Sequence, residues 1–175
     1  RMALNRNPNY TIVDFTLPEN TISWSYYIGV GTEGKEEYQK ANNKFLSSAA
    51  KVVSKISNYG TMAALALSGI NYFSKVQGKD NVKYYFITDW NNLELFKSDK
   101  AFIQYKQGDV VNDAYRMTKP LTGKVYLALK NDNIMEPIDV IVKVTAITVT
   151  PKWGTKTIKK IEGVMPREVQ YLKNE

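Results

Sequence analysis

The apolar positions along this chain change period twice, and those changes divide it. From Tyr10 to Leu17 (YTIVDFTL) the residues Ile12, Phe15 and Leu17 mark a strand, and Pro18-Glu19-Asn20 supplies a turn. Thr21 to Val30 (TISWSYYIGV) predicts a second strand, with Ile22, Trp24, Tyr26 and Ile28 on its core face and Ser23, Ser25 and Tyr27 on the other. The period then lengthens. Between Lys35 and Ile56 the residues Tyr38, Ala41, Phe45, Ala49, Val52, Val53 and Ile56 recur every three or four positions. Acids (Glu33, Glu36, Glu37) stand near the start and Lys51 and Lys55 near the end, which predicts an amphipathic helix. Ser57-Asn58-Tyr59-Gly60 breaks it, and Thr61 to Val76 predicts a second helix with a stripe of Met62, Leu65, Ala66, Gly69, Ile70 and Phe73.

Strand character returns from Gln77 to Asn81 and strengthens in Val82 to Thr88 (VKYYFIT). Asp89-Trp90-Asn91-Asn92 reads as a turn cluster, followed by a short ambiguous piece at Leu93 to Lys97. Phe102 to Tyr105 and Val110 to Met117 are short strand candidates. The strongest local pattern is Gly123 to Val149, two strands around Asn131-Asp132-Asn133, expected to pair as a hairpin. With a single helical block and short later connections, a parallel sheet with crossover helices is disfavoured. The expected fold is therefore mainly β: an antiparallel β-sandwich, jelly-roll or GOLD-like, with a two-helix insertion after the second strand. Residues 1–9 form an arm, 10–150 the sandwich with its insertion at about 35–76, and 151–175 a basic C-terminal tail that packs back through Trp153, Ile158, Ile161 and Val164 or reaches a partner.

Composition narrows the chemistry. The 175 residues contain no Cys and no His, which removes disulfides, thiol catalysis, the usual zinc sites and the commonest general base. An enzyme is left with Asp, Glu, Lys, Ser or Tyr, and the chain shows no phosphate-cradling glycine loop or nucleophile setting. The expectation is a non-enzyme without cofactor. No stretch reaches the length of a membrane helix. Arg1-Met2-Ala3 does not open an export signal, so such a signal is either absent or removed from this form. Lys and Arg number 24 against 17 Asp and Glu, and Lys152 to Glu175 holds six basic residues against three acidic ones. That excess suits a solvated basic surface or an anionic partner, with nucleic acid disfavoured because no RRM or OB signature accompanies Lys83-Tyr84-Tyr85 or Lys124-Val125-Tyr126.

Candidate contacts follow from exposure. Among Trp24, Trp90, Trp153, Tyr27, Tyr84 and Tyr85, Trp24 falls in phase with the core, whereas Trp90 sits in a turn and Trp153 in the tail. Trp90 with Asn91 and Asn92 is a candidate glycan contact. Trp153 with Lys156, Lys159 and Lys160 is a candidate partner contact. Asn131, Asp132, Asn133, Glu136 and Asp139 offer oxygen ligands, but their spacing does not match an EF-hand loop and hairpin turns prefer the same residues, so no metal is expected. Asp89, Glu94, Asp109 and Asp113 are the acids whose convergence a hydrolase would need.

The segments LPENTISWSYYIGV, VKYYFITDWNNLELF, FIQYKQGD and LTGKVYLALKNDNIMEPIDVIVKVTAI resemble secreted or lipoprotein-type envelope proteins of Bacteroidota with unassigned function. Their sandwich is similar to GOLD and prepeptidase-C-terminal domains, in which a Gly-led strand (here Gly123, Tyr126, Leu127, Leu129) ends in an Asn turn before the last long strand. The resemblance implies an extracytoplasmic binding or accessory module acting through protein contacts, in the periplasm, at the outer membrane or on the cell surface. It carries over no catalytic residue. The helical insertion lies outside the minimal GOLD pattern, and an anchoring Cys is absent.

Overall fold

The computed structural model describes residues 9–49, 60–131, 136–158 and 167–172. Its strands are β1 (Tyr10–Leu17), β2 (Thr21–Val30), β3 (Val82–Ile87), β4 (Lys106–Val110), β5 (Asn112–Met117), β6 (Gly123–Lys130), β7 (Val140–Thr148), β8 (Trp153–Ile158) and β9 (Arg167–Leu172). The helices are α1 (Gly31–Ala49), α2 (Gly60–Ser68) and α3 (Trp90–Lys97). Two antiparallel sheets, β1-β6-β3-β4 and β5-β2-β7, face each other, and β8 pairs with β9 as a separate ribbon. The antiparallel β-sandwich with two helices after the second strand is the architecture the apolar pattern predicts.

The core between the sheets is aromatic. Trp24, Tyr26 and Ile28 of β2 meet Tyr84 and Phe86 of β3 and Val125, Leu127 and Leu129 of β6, all buried. Ring centroids lie 4.7 Å apart for Tyr26 and Phe86 and 5.6 Å for Trp24 and Phe86, in tilted and edge-to-face contacts worth about 0.5–1.5 kcal/mol each beyond burial. Both outer faces are also covered. α1 and α2 lie on the outside of β2, burying Tyr27, Met62, Leu65 and Ala114, while α3 covers Ile87 and Ala128 with Leu93 and Phe96. Four layers result, and β2, at their centre, is buried on both faces apart from Ile22.

The fit of α2 on β2 is carried by two serines. Ser25 Oγ donates to the Met62 carbonyl (2.7 Å) and Ser23 Oγ to the Ala66 carbonyl (2.6 Å). Two residues of strand advance about 6.6 Å and four of helix about 6 Å, so the spacings match, and the reversed order shows α2 running opposite to β2. A helix this close needs small residues, and Ala63, Ala64 and Ala66 are buried with Thr61, Met62 and Leu65.

Several expectations are corrected. β6 and β7 do not pair as a hairpin: β6 lies between β1 and β3, β7 pairs with β2, and their connection crosses from one sheet to the other. Both strands have apolar inner faces, which alternation alone cannot assign to the same or opposite sheets. Ile22 is half exposed because a register shift between Thr21 and Ser23 breaks its phase with Trp24. The insertion begins at Gly31. α2 stops at Ser68, since Gly69 takes the left-handed conformation (φ +75°) and its N–H caps the Leu65 carbonyl; Ile70 and Phe73 therefore lie beyond the helix. Residues 77–81 and Phe102 to Tyr105 are irregular, and the stretch Val110 to Met117 is split at Val111 between two sheets. The tail contains the β8–β9 ribbon, whereas Ile161 and Val164 lie outside the described residues.

Candidate functional site

Among the described residues, sheet β5-β2-β7 has one strand fewer than its partner, and the N-terminal half of β1 is the part left uncovered: Thr11 and Val13 are exposed, whereas Phe15 meets the Trp24 ring at 5.5 Å and Leu17 is buried. β4 and β5 close the other side through Val111, whose carbonyl accepts the Val30 N–H at 2.8 Å. On the open side, β1 hydrogen-bonds among the described residues only to β6 and β7 only to β2, leaving one main-chain edge of each free. Between those edges lies a recess of about 620 Å³ whose apolar wall is Val13, Val82, Leu129, Ile138, Val140 and Val142, with Asn9, Thr11 and Asn131 at its polar end. Val13 is 37% exposed, although it points into the space between the sheets, because no strand of the second sheet covers it. Natural edges are blunted by charges, proline or bulges; β7 has one lysine, Lys143, and no proline.

The opposite, closed side holds a polar cluster. Tyr26 Oη donates to Asp113 Oδ2 (2.7 Å), Tyr84 Oη donates to the same oxygen, and the two phenols touch at 2.9 Å. Burial first, and then the Asp113 hydrogen bond, push both phenols far above their ordinary range. Lys106 Nζ lies 3.5 Å from the Tyr115 ring centroid and 5.8 Å from that of Tyr26; desolvation lowers its pKa and Asp113 opposes the shift. Tyr84 fits because its cross-strand partner is Gly108, where any Cβ would occupy the ring's place. With each polar group partnered, this cluster pins the two sheets together at their joined edge.

Trp90 is exposed (57%) and is the first residue of α3, not part of a turn. Asp89 is the N-cap of that helix: its carboxylate accepts the Asn92 N–H at 2.9 Å and the Asn92 side-chain amide at 2.8 Å, and these bonds hold its pKa below the usual carboxylate range. Asn92 Oδ1 in turn accepts the Ile103 N–H (2.7 Å), so Asn92 braces the following loop and is not free to contact a ligand. Asn91 is exposed on α3. Trp153 is 66% exposed on β8, Lys156 stands on the same strand, and Lys159 and Lys160 lie outside the described residues.

The remaining candidates separate. Trp24, Tyr27 and Tyr84 are buried and cannot serve as a platform. Asp89 caps α3, Glu94 pairs with Lys97 (2.8 Å), Asp109 faces Lys83 (3.9 Å) and Asn81, and Asp113 holds the tyrosines; four acids thus have four separate sets of partners. Asp132 and Asn133 lie outside the described residues, Asn131 donates to the Glu136 carbonyl, and Glu136 and Asp139 pair with Lys79 and Lys35. Among the described residues no group of acids has the arrangement of a metal site.

Gly29-Val30-Gly31-Thr32-Glu33-Gly34 carries a G-x-G-x-x-G spacing that the apolar pattern conceals. At this β2–α1 junction a Cβ on Gly34 would lie 2.5 Å from the Gly29 carbonyl carbon, so strand and helix cross backbone to backbone. The Tyr27 hydroxyl donates to the Gly34 carbonyl (2.7 Å), the Gly31 N–H is taken by the Asp139 carbonyl (2.8 Å), and Glu33 places an acid in the first turn. The glycines here serve close packing, with the Val30 and Gly31 amides taken by the Val111 and Asp139 carbonyls and the Glu33 carboxylate set where a phosphate would lie. Glu37 was also concealed: grouped by sequence with the acids of the helix start, it is buried, and its carboxylate accepts the Ser74 N–H at 2.6 Å.

The described helices include none long and apolar enough to cross a membrane. No protein-family model, curated protein or solved structure matches this chain.

Proposed function

We propose that this chain is a non-enzymatic binding module that takes an extended segment of a protein partner alongside β7, beside the N-terminal half of β1, where no described strand lies. One observation carries the reading: among the described residues, the strand that the smaller sheet lacks coincides with an apolar recess between two unpaired edges. An added strand gains main-chain hydrogen bonds from β7, and its alternate side chains enter the recess against Val13, Leu129, Val140 and Val142. Specificity then comes from alternation, with an apolar residue at every second position of the partner. The dispersal of the acids supports a role without turnover. The setting outside the cytoplasm, against the envelope, belongs to the same proposal and rests on the resemblance of the strand segments.

A photo-crosslinker introduced at Thr11, on the rim of the recess, and another at Gln107, exposed on the opposite edge, test the reading in native cells. Thr11 yields a defined adduct in the membrane fraction, Gln107 yields none, and Val13→Lys abolishes the Thr11 adduct without unfolding the chain. Equal adducts from both edges, indifference to Val13→Lys, or recovery only as a free cytosolic monomer would reject it.

A further inference from the structure

On the outer face of the larger sheet, four residues from two elements form one surface that no contiguous stretch of sequence contains. Trp90 of α3 meets Tyr126 of β6 edge to face, with centroids 6.2 Å apart and planes at 66°. Lys97, two turns along α3, sets its ammonium 4.7 Å from the Trp90 ring centroid, and Lys124, two residues before Tyr126 on the same face of β6, sets its own 5.3 Å from the Tyr126 ring. Each lysine is paired: Lys97 with Glu94 at 2.8 Å and Lys124 with Asp14 of β1 at 2.9 Å. Lys97 therefore lies over one face of the indole and Tyr126 braces it edge to face, while more than half of the residue stays accessible. Its orientation is fixed before any ligand arrives, which lowers the entropy lost on binding.

From this arrangement we infer a second site, independent of the strand groove, that binds an uncharged pyranose ring. The chemistry selects that class. An exposed, pre-oriented indole offers the part of its apolar surface that Lys97 and Tyr126 leave open to the C–H face of a sugar, and the surrounding ammonium and carboxylate groups present both donors and acceptors to ring hydroxyls. Two cations stand against two anions, with the Asp89 carboxylate beside Trp90 as a third, so the rim has no positive excess and offers no attraction to a polyanion such as nucleic acid or an acidic glycan, despite the +7 of the whole chain. The helix end does not compete for the ligand, because Asp89 closes it. The site keeps Trp90 and replaces Asn91 and Asn92 as its companions with Tyr126, Lys97, Lys124, Glu94 and Asp14.

Two-dimensional NMR of the full chain, titrated with cellotetraose, maltotetraose and, separately, polygalacturonate, tests the inference. One of the neutral tetrasaccharides shifts the Trp90 indole N–H and the amides of Lys97, Lys124 and Tyr126, saturating at millimolar concentration, with the Trp24 and Trp153 indoles unmoved and little change with salt. Trp90→Ala weakens binding at least about tenfold, Trp90→Phe less, and Trp153→Ala not at all. Unchanged circular dichroism of the variants shows that the loss is not one of folding. No shift with either neutral sugar to about 20 mM overturns the inference. So does binding of polygalacturonate alone with steep loss in salt, or a shift that survives Trp90→Ala.

Discussion

Raising the pH above the ordinary tyrosine range should unfold this protein cooperatively, at a slope set chiefly by three side chains, with Tyr38, also raised by burial, adding to it. Tyr26, Tyr27 and Tyr84 are 0%, 0% and 1% exposed. Burial is the largest cause in each case, followed by the Asp113 hydrogen bond for Tyr26 and Tyr84 and by the Glu37 charge for Tyr27; all three pKa values are raised above the reference of 10.0. Below that value both the folded and the unfolded chain keep the phenolic protons, and the contribution of these groups to stability is fully present. Above it the unfolded chain releases protons that the folded one retains, so unfolding becomes easier by about 1.4 kcal/mol per pH unit for each tyrosine, or about 4 kcal/mol for the three. A domain whose margin is about 5–15 kcal/mol loses it within a few units. Tyrosinate absorbance and far-ultraviolet circular dichroism, followed on one sample, provide the assay. Tyr26, Tyr27 and Tyr84 ionise only as the dichroism collapses. Tyr84→Phe, whatever its effect on stability near neutrality, reduces the alkaline slope by about a third, since one fewer phenol is linked to unfolding. Ionisation of Tyr26, Tyr27 and Tyr84 with the fold intact, or a slope unaltered by Tyr84→Phe, would refute the reasoning.

Two other perturbations probe the junctions that hold the helices. Gly34→Ala drives a methyl into the Gly29 backbone, which has no flexible end to yield, and should cost about 1–3 kcal/mol; denaturant unfolding reads it as a lowered midpoint, and a change within about 0.5 kcal/mol would show that strand and helix are not in backbone contact. Asp89→Ala removes the cap of α3 and should cost about 1 kcal/mol at neutral pH. Because the Asp89 pKa is depressed in the folded chain, its contribution is present above the ordinary carboxylate range and lost as pH falls through the folded value, so the gap between wild type and variant narrows in acid. A gap that stays constant from neutral pH to strong acid would contradict that account.

The strands at Tyr10–Leu17 and Thr21–Val30 were legible because β-branched and aromatic residues crowd short runs bounded by turn residues. The two helices after them were legible from the lengthened apolar spacing. α3 was not, since a helix of eight residues offers barely two turns of periodicity and its capping Asp89 and Asn92 are equally common in turns. Alternation along β2 places Ser23 and Ser25 on the face away from the core between the sheets. Those serines satisfy themselves on carbonyls of α2, and no local pattern distinguishes a hydroxyl bound to a helix from one bound to water. Trp90 was found as an exposed aromatic, yet its companions Tyr126 and Lys124 lie more than thirty residues away, joined to it only by the docking of α3 on β6.

Local chemistry, then, determined which segments of this chain extend, which coil and which chemistries it lacks, because propensity, periodicity and the absence of His and Cys are properties of short stretches or of counts. Which strands pair was decided only in three dimensions. β6 and β7 each carry an apolar face that a hairpin or two opposed sheets would bury equally well. The choice of opposed sheets, made by the fit of all the layers together, leaves one sheet, among the described residues, a strand short beside the first half of β1 and gathers Trp90, Tyr126 and their lysines onto one surface. Both proposed sites arise from that pairing, which side-chain alternation along a single strand does not encode.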